Sequence, residues 1–412
     1  MVYLYRKNVI KMYTFNENIS KEEYDNFIKE TSMAPFCQEY NWSNIKQGWG
    51  NYHCGLYKDN KLIGVCLILI KKMFGKTKLF YIPRGYLLDY TNYEDLSEMT
   101  KYIKKLAKKN HAYVVKIAPN FCISDDSLKG EECEHNYSKD YDIKHKNLLK
   151  VGYKWTGINK NMSKNLQPQY NMVAPMCDIN SNILDVNGVL ATYKSKFKYY
   201  LGDFHEKRGV TFKVTNSLDK IDAFMDLIGY TERKQNISLR NKEYFLNLME
   251  NYKDRAYFVF GEIDINKYLE FLKNNNGKEE DIEEALSIQK EKGNNVMVST
   301  GLLLLPQNEK GIKTSEYLYA GNSPYLNNLN ISQGLVFEMI KFSMDKGCHY
   351  CNLGGVDGNL NDHLSIFKRK FNARLMVFAG EYDLPTSWIY KPIKVFYPIL
   401  IKLYKLTHKK KH

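Results

Sequence analysis

A glycine-rich turn followed by a short basic segment is the stretch of this sequence best suited to chemistry. The turn covers residues 354–358, and the segment after it contains Phe367 and Lys368. Glycines permit positive φ angles and let a bound molecule approach the backbone closely. A lysine ammonium after such a turn suits a charged or ester-bearing substrate. The alternative interpretation is a plain turn followed by a solvated helical face.

Cysteine and histidine patterns in the sequence are weak indications of a metal or redox site. The eight cysteines are scattered along the chain, which is typical of free thiols in a reducing compartment. Cys348 and Cys351 have the CxxC spacing, but no second pair lies at the distance of a zinc ribbon. Cys133 and His135 are likewise weak as ligands. The sequence therefore predicts no metal site and no bound cofactor.

The chain is strongly basic. Its 412 residues carry a formal net charge of +14. Such a charge favours phosphate-rich partners such as nucleic acid, nucleotides or anionic lipid, whereas the plainer interpretation is that it serves solubility. The start of the chain does not resemble a signal peptide, and the longest apolar run, residues 62–70, is shorter than the ~20 residues that cross a bilayer. We therefore expect a cytoplasmic protein.

The elements that must position these residues are predicted in an order that repeats. Residues 53–117 give three strands, a helix and a strand, and residues 256–353 give a similar order. That order is typical of a mixed α/β domain. Its repetition predicts two similar α/β domains with mixed sheets.

Two charged segments stand apart from this pattern. Residues 267–292 predict a protruding antiparallel helical hairpin, the alternative being a disordered insertion. Its thin apolar seam is predicted from Leu269, Leu272, Ile282, Leu286 and Ile288. Residues 388–412 predict a basic amphipathic helix with a kink at Pro398. That helix either lies on an anionic membrane, such as the inner membrane face, or packs on the body with a solvated lysine face.

Four ordered motifs give the chain a resemblance to a known family. They are the stretches at residues 83–90 (PRGYLLDY), 240–245 (RNKEYF), 317–321 (YLYAG) and 367–368 (FK). With them, most of the chain resembles the FemABX family of peptidoglycan aminoacyltransferases. The charged hairpin resembles a shortened form of the coiled-coil arm of that family.

The resemblance implies two GNAT-like acyltransferase domains that face each other across a cleft. The first domain would comprise residues 1–165, completed by the tail at 382–412. The second would comprise residues 166–381, with the arm inserted at 265–294. The implied reaction moves an amino acid from aminoacyl-tRNA to the stem peptide of lipid II or UDP-MurNAc-pentapeptide. Both tRNA and the precursor diphosphate are polyanions, which suits the basic charge.

The resemblance also implies roles for individual residues. Lys368, paired with Phe367, is expected to stabilise the tetrahedral oxyanion, and Asp89 to order or deprotonate the attacking amine. Arg240 and Tyr244 lie four residues apart on a predicted helix, so they share a face and are expected to bind the precursor. The remaining expected substrate-binding residues are Tyr319, Lys46 and Arg84.

Two other functions remain open from the sequence. One is a CoA-dependent N-acyltransferase of the GNAT type, although we find no convincing glycine-rich pyrophosphate loop. The other is a non-catalytic RNA-binding protein that uses the basic surface. No Ser/His/Asp order favours a covalent route. We expect a monomer, with aminoacyl-tRNA as co-substrate.

Overall fold

The protein contains two mixed β-sheets, each covered by helices. The structure is a computed structural model and describes residues 12–129 and 132–396. The first sheet has the spatial order β1 (Tyr13–Asn16), β2 (Gly50–Lys58), β3 (Lys61–Lys72), β4 (Lys78–Ile82), β5 (Ala112–Ile117), β16 (Tyr382–Pro385) and β8 (Lys154–Trp155). The second has the order β10 (Val210–Thr215), β11 (Ala256–Asp264), β12 (Asn295–Leu304), β13 (Thr314–Asn322), β14 (Tyr350–Val356), β9 (Tyr170–Pro175), β15 (Arg374–Phe378), β6 (Cys122–Lys129) and β7 (Glu132–Glu134).

Helices connect and cover these strands. They are α1 (Lys21–Glu30), α2 (Trp42–Ile45), α3 (Tyr93–Lys109), α4 (Tyr141–Lys150), α5 (Val186–Ala191), α6 (Ser195–Leu201), α7 (Ile221–Gln235), α8 (Lys242–Tyr252), α9 (Ile265–Asn274), α10 (Glu279–Lys292), α11 (Ile331–Asp345) and α12 (His363–Arg369). Within the described residues, no helix is both long enough and apolar enough to cross a membrane.

The predicted repeat is present in both sheets. In the first, β2, β3 and β4 are antiparallel neighbours, and α3 then crosses over to β5, which runs parallel to β4. In the second, β11, β12 and β13 are antiparallel, and α11 crosses over to the parallel strand β14. The predicted α/β fold with two mixed sheets of similar strand and helix order is therefore confirmed.

Local sequence explains why the crossover helix α3 forms where it does. The side chain of Asn92 accepts a hydrogen bond from the backbone N–H of Asp95, which caps the first turn. Apolar residues at helical spacing then form one buried face against the sheet, namely Leu96, Met99, Ile103 and Leu106.

Strands β13 and β14 separate part-way along their length. They pair only where Thr314 to Glu316 lie opposite Tyr350 to Asn352. Strand β13 nevertheless continues to Asn322 and β14 to Val356. We call the point of separation, at Glu316 and Asn352, the β13–β14 fork.

One hydrophobic core is shared between the two halves of the chain. Leu67 and Leu69 of β3 pack in the same cluster as Phe245 of α8 and Phe258 of β11. A buried ion pair reinforces this contact, because Arg255 donates from Nη1 and Nη2 to the two carboxylate oxygens of Glu39 at 3.0 and 2.6 Å. The two halves therefore form one packed body.

The charged hairpin is present, but its packing differs from the prediction. Helices α9 and α10 are antiparallel partners, and Leu269, Leu272 and Ile288 are buried as expected. These residues pack against Ile263 and Val296 of the second domain, not only against each other. Leu286 is 50% exposed, so its place in the seam was wrong. The hairpin is thus anchored to the sheet.

The region between residues 120 and 147, whose sequence is polar and shows no periodic apolar pattern, contains regular structure. It forms β6, β7 and the start of α4, and β6 joins the second sheet beside β15. Strand β16 lies between β5 and β8 in the first sheet. A helix begins at Tyr390 and packs on Tyr113 and Val114, while residues 397–412 lie outside the described residues, so the proposed kink at Pro398 stays a prediction.

Candidate active site

A cavity of about 400 Å³ lies between the two sheets. Its walls come from both halves of the chain: Cys37 and Arg84 from the first, and Glu316, Asn352, Gly354, Gly355, Arg374 and Phe378 from the second. We call this space the cleft. It holds apolar side chains and a few charged groups, which is the usual composition of a small-molecule site.

The β13–β14 fork places a carboxyl group in the cleft. Glu316 and Asn352 are the last paired residues of the two strands, and both line the cavity. Burial raises the pKa of Glu316 to about 8, although the Arg84 guanidinium opposes the rise. A carboxyl with this pKa can take up or release a proton near neutral pH.

Arg84 is held in the opposite wall by a strained turn. It is non-glycine yet has a φ of 57°, a conformation that persists only when the surroundings enforce it. Its guanidinium lies 3.9 Å from the centre of the Phe378 ring, and Nη2 donates to the carbonyl of Pro168 at 3.4 Å. Arg84, an expected substrate-binding residue, is therefore a cation held in the wall of the cleft.

Lys368 lies directly behind the glycine turn that lines the cleft. Helix α12 begins after Asp362, whose carboxylate accepts hydrogen bonds from the backbone N–H groups of Leu364 and Ser365. Lys368 is 3% exposed, and its Nζ donates to the carbonyl oxygen of Gly355 at 2.9 Å. Burial lowers its pKa to about 7.

Gly354 keeps this ammonium close to the cleft. Its φ of 86° lies in the left-handed region, and a Cβ at this position would lie 3.6 Å from Nζ of Lys368. Gly354 itself lines the cavity. The missing side chain therefore leaves little between the lysine nitrogen and the cleft.

The structure places the two other predicted catalytic residues differently. Phe367 is half-buried and packs edge-on against Phe371, with ring centres 5.5 Å apart, so it supports α12 from the core. Asp89 is exposed, and its Oδ1 accepts hydrogen bonds from the backbone N–H and the hydroxyl of Thr91. Neither residue lines the cleft cavity.

Four of the predicted binding residues form a second cluster: Lys46, Arg240, Tyr244 and Tyr319. We call Lys46 and Arg240 the cation pair. Arg240 lies 5.4 Å from the centre of the Tyr244 ring, and Tyr319 hydrogen-bonds Tyr244 through their hydroxyls at 3.3 Å. Burial lowers the pKa of Lys46, and the nearby Arg240 lowers that pKa further. Arg240 precedes the N-cap residue Asn241, so it lies outside helix α8 and the predicted shared helical face was wrong.

The cation pair, Lys46 and Arg240, lies outside the set of residues that line the cleft cavity. Across the part of the chain that the structure describes, neither Lys46 nor Arg240 forms an ion pair. Two neighbouring cations without a counter-charge suit the binding of an anion such as a phosphate.

Sequence reasoning missed Glu316 and the pair formed by Arg374 and Asp125. Arg374 Nε donates to Oδ1 of Asp125 at 2.8 Å at the edge of the cleft. The signal for Glu316 was its position as the single acid of its strand, one residue before the YLYAG motif. Asp125 lay in a polar stretch with no periodic pattern, so nothing in the sequence marked it.

Comparison with protein families gives one match that spans most of the chain. The model of the FemAB family matches residues 19–285 and 273–398. Among similar proteins is a lipid II:glycine glycyltransferase of Staphylococcus haemolyticus, 26% identical over 93% of this chain and 96% of that protein. Another is the aminoacyltransferase FemA of Staphylococcus epidermidis, 22% identical over 94% of this chain and 99% of that protein.

A solved structure has the same fold. The crystal structure of FemX superposes with a TM-score of 0.72 and 21% sequence identity, covering 94% of this chain and 99% of that one.

Proposed function

The chain belongs to the FemAB family, and from this premise we propose that it is an aminoacyltransferase of peptidoglycan synthesis. It joins an amino acid to the stem peptide of a peptidoglycan precursor, and so extends the bridge between peptides. Similarity to a glycyltransferase and to FemA over nearly their whole lengths supports this assignment. The donor that we propose is aminoacyl-tRNA, and the acceptor is lipid II or UDP-MurNAc-pentapeptide.

The observation that carries the proposal is the position of Lys368. Its ammonium is buried behind a cleft-lining turn, and among the described residues it forms no ion pair with a carboxylate. A buried cation without a counter-ion is costly. Negative charge that develops on the substrate in the cleft would offset that cost, which makes Lys368 suited to an oxyanion.

The reaction needs no nucleophile from the enzyme. The amine of the stem peptide attacks the ester carbonyl of the donor and forms a C–N bond, while the carbonyl oxygen becomes an oxyanion beside Lys368. Collapse of this intermediate breaks the ester C–O bond, and the tRNA leaves through its terminal ribose hydroxyl. The protein mainly supplies orientation and charge stabilisation.

The amine must lose a proton during this reaction, and Glu316 is placed to accept it. Its carboxyl faces the cleft, whereas Asp89 is exposed and holds the backbone of its own turn. The pKa of Glu316 is about 8, so its carboxylate can take the proton that the amine loses as the C–N bond forms. The proton then leaves with the ribose hydroxyl when the ester C–O bond breaks.

The cation pair is proposed to bind the precursor diphosphate. Among the described residues Lys46 and Arg240 are neighbours that form no ion pair with a carboxylate; Arg240 lies over the ring of Tyr244, whose hydroxyl is hydrogen-bonded to that of Tyr319. Arginine binds phosphate oxygens in pairs, which fixes the orientation of the ligand as well as its location.

Transfer of label tests the proposal directly. The purified protein would be incubated with tRNA charged with labelled amino acids and, in separate reactions, with lipid II or UDP-MurNAc-pentapeptide. We expect label in the precursor and none when the tRNA is uncharged. Label transfer from acyl-CoA instead of tRNA would show a CoA-dependent acyltransferase, and tRNA binding without any transfer would show an RNA-binding protein.

A further inference from the structure

Three potential metal ligands meet on one face of the β6–β7 hairpin. Asp126 belongs to β6, Cys133 to β7, and His135 directly follows β7. We infer that these three side chains form a zinc site, which we call the Asp-Cys-His cluster. The site is separate from the cleft and plays no part in the proposed reaction.

The strand register explains why the three side chains converge. Ser127 pairs with Glu134 and Leu128 with Cys133, so the same antiparallel register brings Asp126 opposite His135. Cys133 and His135 are two residues apart and point to the same face. The sequence alone shows only the weak Cys-x-His pair, because its third partner comes from the neighbouring strand.

The distances between the ligand atoms fit a tetrahedral metal. Oδ2 of Asp126 lies 2.9 Å from Nδ1 of His135 and 3.7 Å from Sγ of Cys133, and Sγ and Nδ1 are 3.9 Å apart. Zinc bonds of roughly 2.0–2.3 Å at tetrahedral angles separate their ligand atoms by about 3.3–3.6 Å. Shifts of a few tenths of an ångström would bring all three atoms to bonding distance.

The carboxylate is already held in the orientation that a metal needs. Asp126 is 1% exposed, and its other oxygen, Oδ1, accepts a hydrogen bond from the backbone N–H of Asn136 at 3.2 Å. That contact leaves Oδ2 directed toward Cys133 and His135. Outer contacts of this kind orient ligands in established metal sites.

The ligand set selects the type of metal. Sulfur, imidazole nitrogen and carboxylate oxygen together suit Zn²⁺, whereas Mg²⁺ and Ca²⁺ prefer oxygen ligands alone. A thiolate and a carboxylate also neutralise the two charges of the ion. Three protein ligands leave a fourth position for water.

The location of the cluster suggests what the ion would do. Asp125 and Asp126 are adjacent on β6, so their side chains point to opposite faces. Asp125 pairs with Arg374 at the cleft. Zinc would therefore fix the hairpin that forms one edge of the cleft.

Cobalt binding provides the test, because Co²⁺ takes zinc sites and its bond to a thiolate gives a charge-transfer absorption band. The full-length protein, freed of metal with a chelator, would be titrated with Co²⁺ and then with Zn²⁺. We expect one equivalent of Co²⁺ with a thiolate band, and its displacement by one equivalent of Zn²⁺. Cys133→Ser should remove the band, and His135→Gln should weaken Zn²⁺ binding at least ~10²-fold, since loss of an outer-shell partner alone costs 10–100-fold.

Cys122→Ser is the matched control, because Cys122 lies on the same strand but outside the cluster. This variant should keep the band. Circular dichroism would confirm that each variant is folded, and Cys133→Ala would replace Cys133→Ser if needed. Absence of metal binding by the wild-type protein, or a band that survives in Cys133→Ser and disappears in Cys122→Ser, would overturn the zinc site.

Discussion

Lys368 combines burial, a single carbonyl partner and a position behind the cleft. If it stabilises the oxyanion, Lys368→Met should slow single-turnover transfer by ~10²–10³ while substrate binding changes little. Methionine keeps most of the volume and removes the charge. Lys370→Met is the control, because Lys370 is exposed, and it should lose only modest, salt-dependent tRNA affinity. A near wild-type rate for Lys368→Met would exclude the catalytic role.

The dependence of the rate on pH separates the two titrating groups of the site. The Lys368 cation is lost as pH rises through its pKa of about 7, and the Glu316 carboxylate forms as pH rises through about 8. We therefore expect a bell-shaped single-turnover rate with its maximum between these values.

Substitution of the two carboxylic acids shows which of them accepts the proton. Glu316→Gln should remove the rising limb of this profile, and Asp89→Asn should leave it intact, because Asp89 is exposed in its turn. Loss of the rising limb in Asp89→Asn but not in Glu316→Gln would show that Asp89 accepts the proton.

Substitution of Arg240 tests whether this residue binds the precursor. Arg240→Ala should weaken precursor binding by roughly 2–4 kcal/mol, the usual cost of losing a desolvated, charged contact. Binding of tRNA should be nearly unchanged. Arg233→Ala is a matched control, since Arg233 also lies over a tyrosine, at 4.8 Å from the ring centre of Tyr230. Isothermal titration with UDP-MurNAc-pentapeptide measures the effect, and equal affinities for wild type and Arg240→Ala would refute the assignment.

At the scale of elements, the α9–α10 hairpin is held by its buried face. Ile288 is 2% exposed and Leu286 is 50% exposed, although they lie only two residues apart on α10. Ile288→Ala should lower the free energy of unfolding by about 2–5 kcal/mol through the lost contacts and the cavity. Leu286→Ala should change it by less than about 0.5 kcal/mol. Urea denaturation compares the two, and a similar loss for both would indicate the isolated seam that the sequence first predicted.

At the scale of the whole molecule, the ion pair of Glu39 and Arg255 joins the two halves. Glu39 is fully buried, so Arg255→Met should cost roughly 3–5 kcal/mol of stability by leaving its carboxylate without a cation. The surface pair of Glu30 and Lys310 also bridges the halves, but both side chains are more than half exposed. Lys310→Met should therefore cost about 1 kcal/mol or less. Equal losses in thermal or urea unfolding would mean that the buried pair does not hold the halves together.

Local sequence determined much of the architecture by itself. The two crossover helices, α3 and α11, lie between strands as the sequence predicted, because their apolar spacing acts between near neighbours in the chain. The motifs at 240–245 and 367–368 singled out Arg240, Tyr244 and Lys368; Arg240 lies over the Tyr244 ring, and Lys368 donates to the carbonyl of Gly355 in the turn beside the cleft.

Tertiary structure alone decided the environment of these residues. The burial of Lys368, the fork that turns Glu316 into the cleft and the approach of Asp126 to Cys133 and His135 all depend on elements distant in sequence. A pKa or a ligand set arises from desolvation and from neighbours in space, and neither can be read from spacing along the chain. Asp89 is a case in which the motif is present but the expected environment is not. Its side chain faces solvent, and its Oδ1 accepts hydrogen bonds from the backbone N–H and the hydroxyl of Thr91 in the same turn.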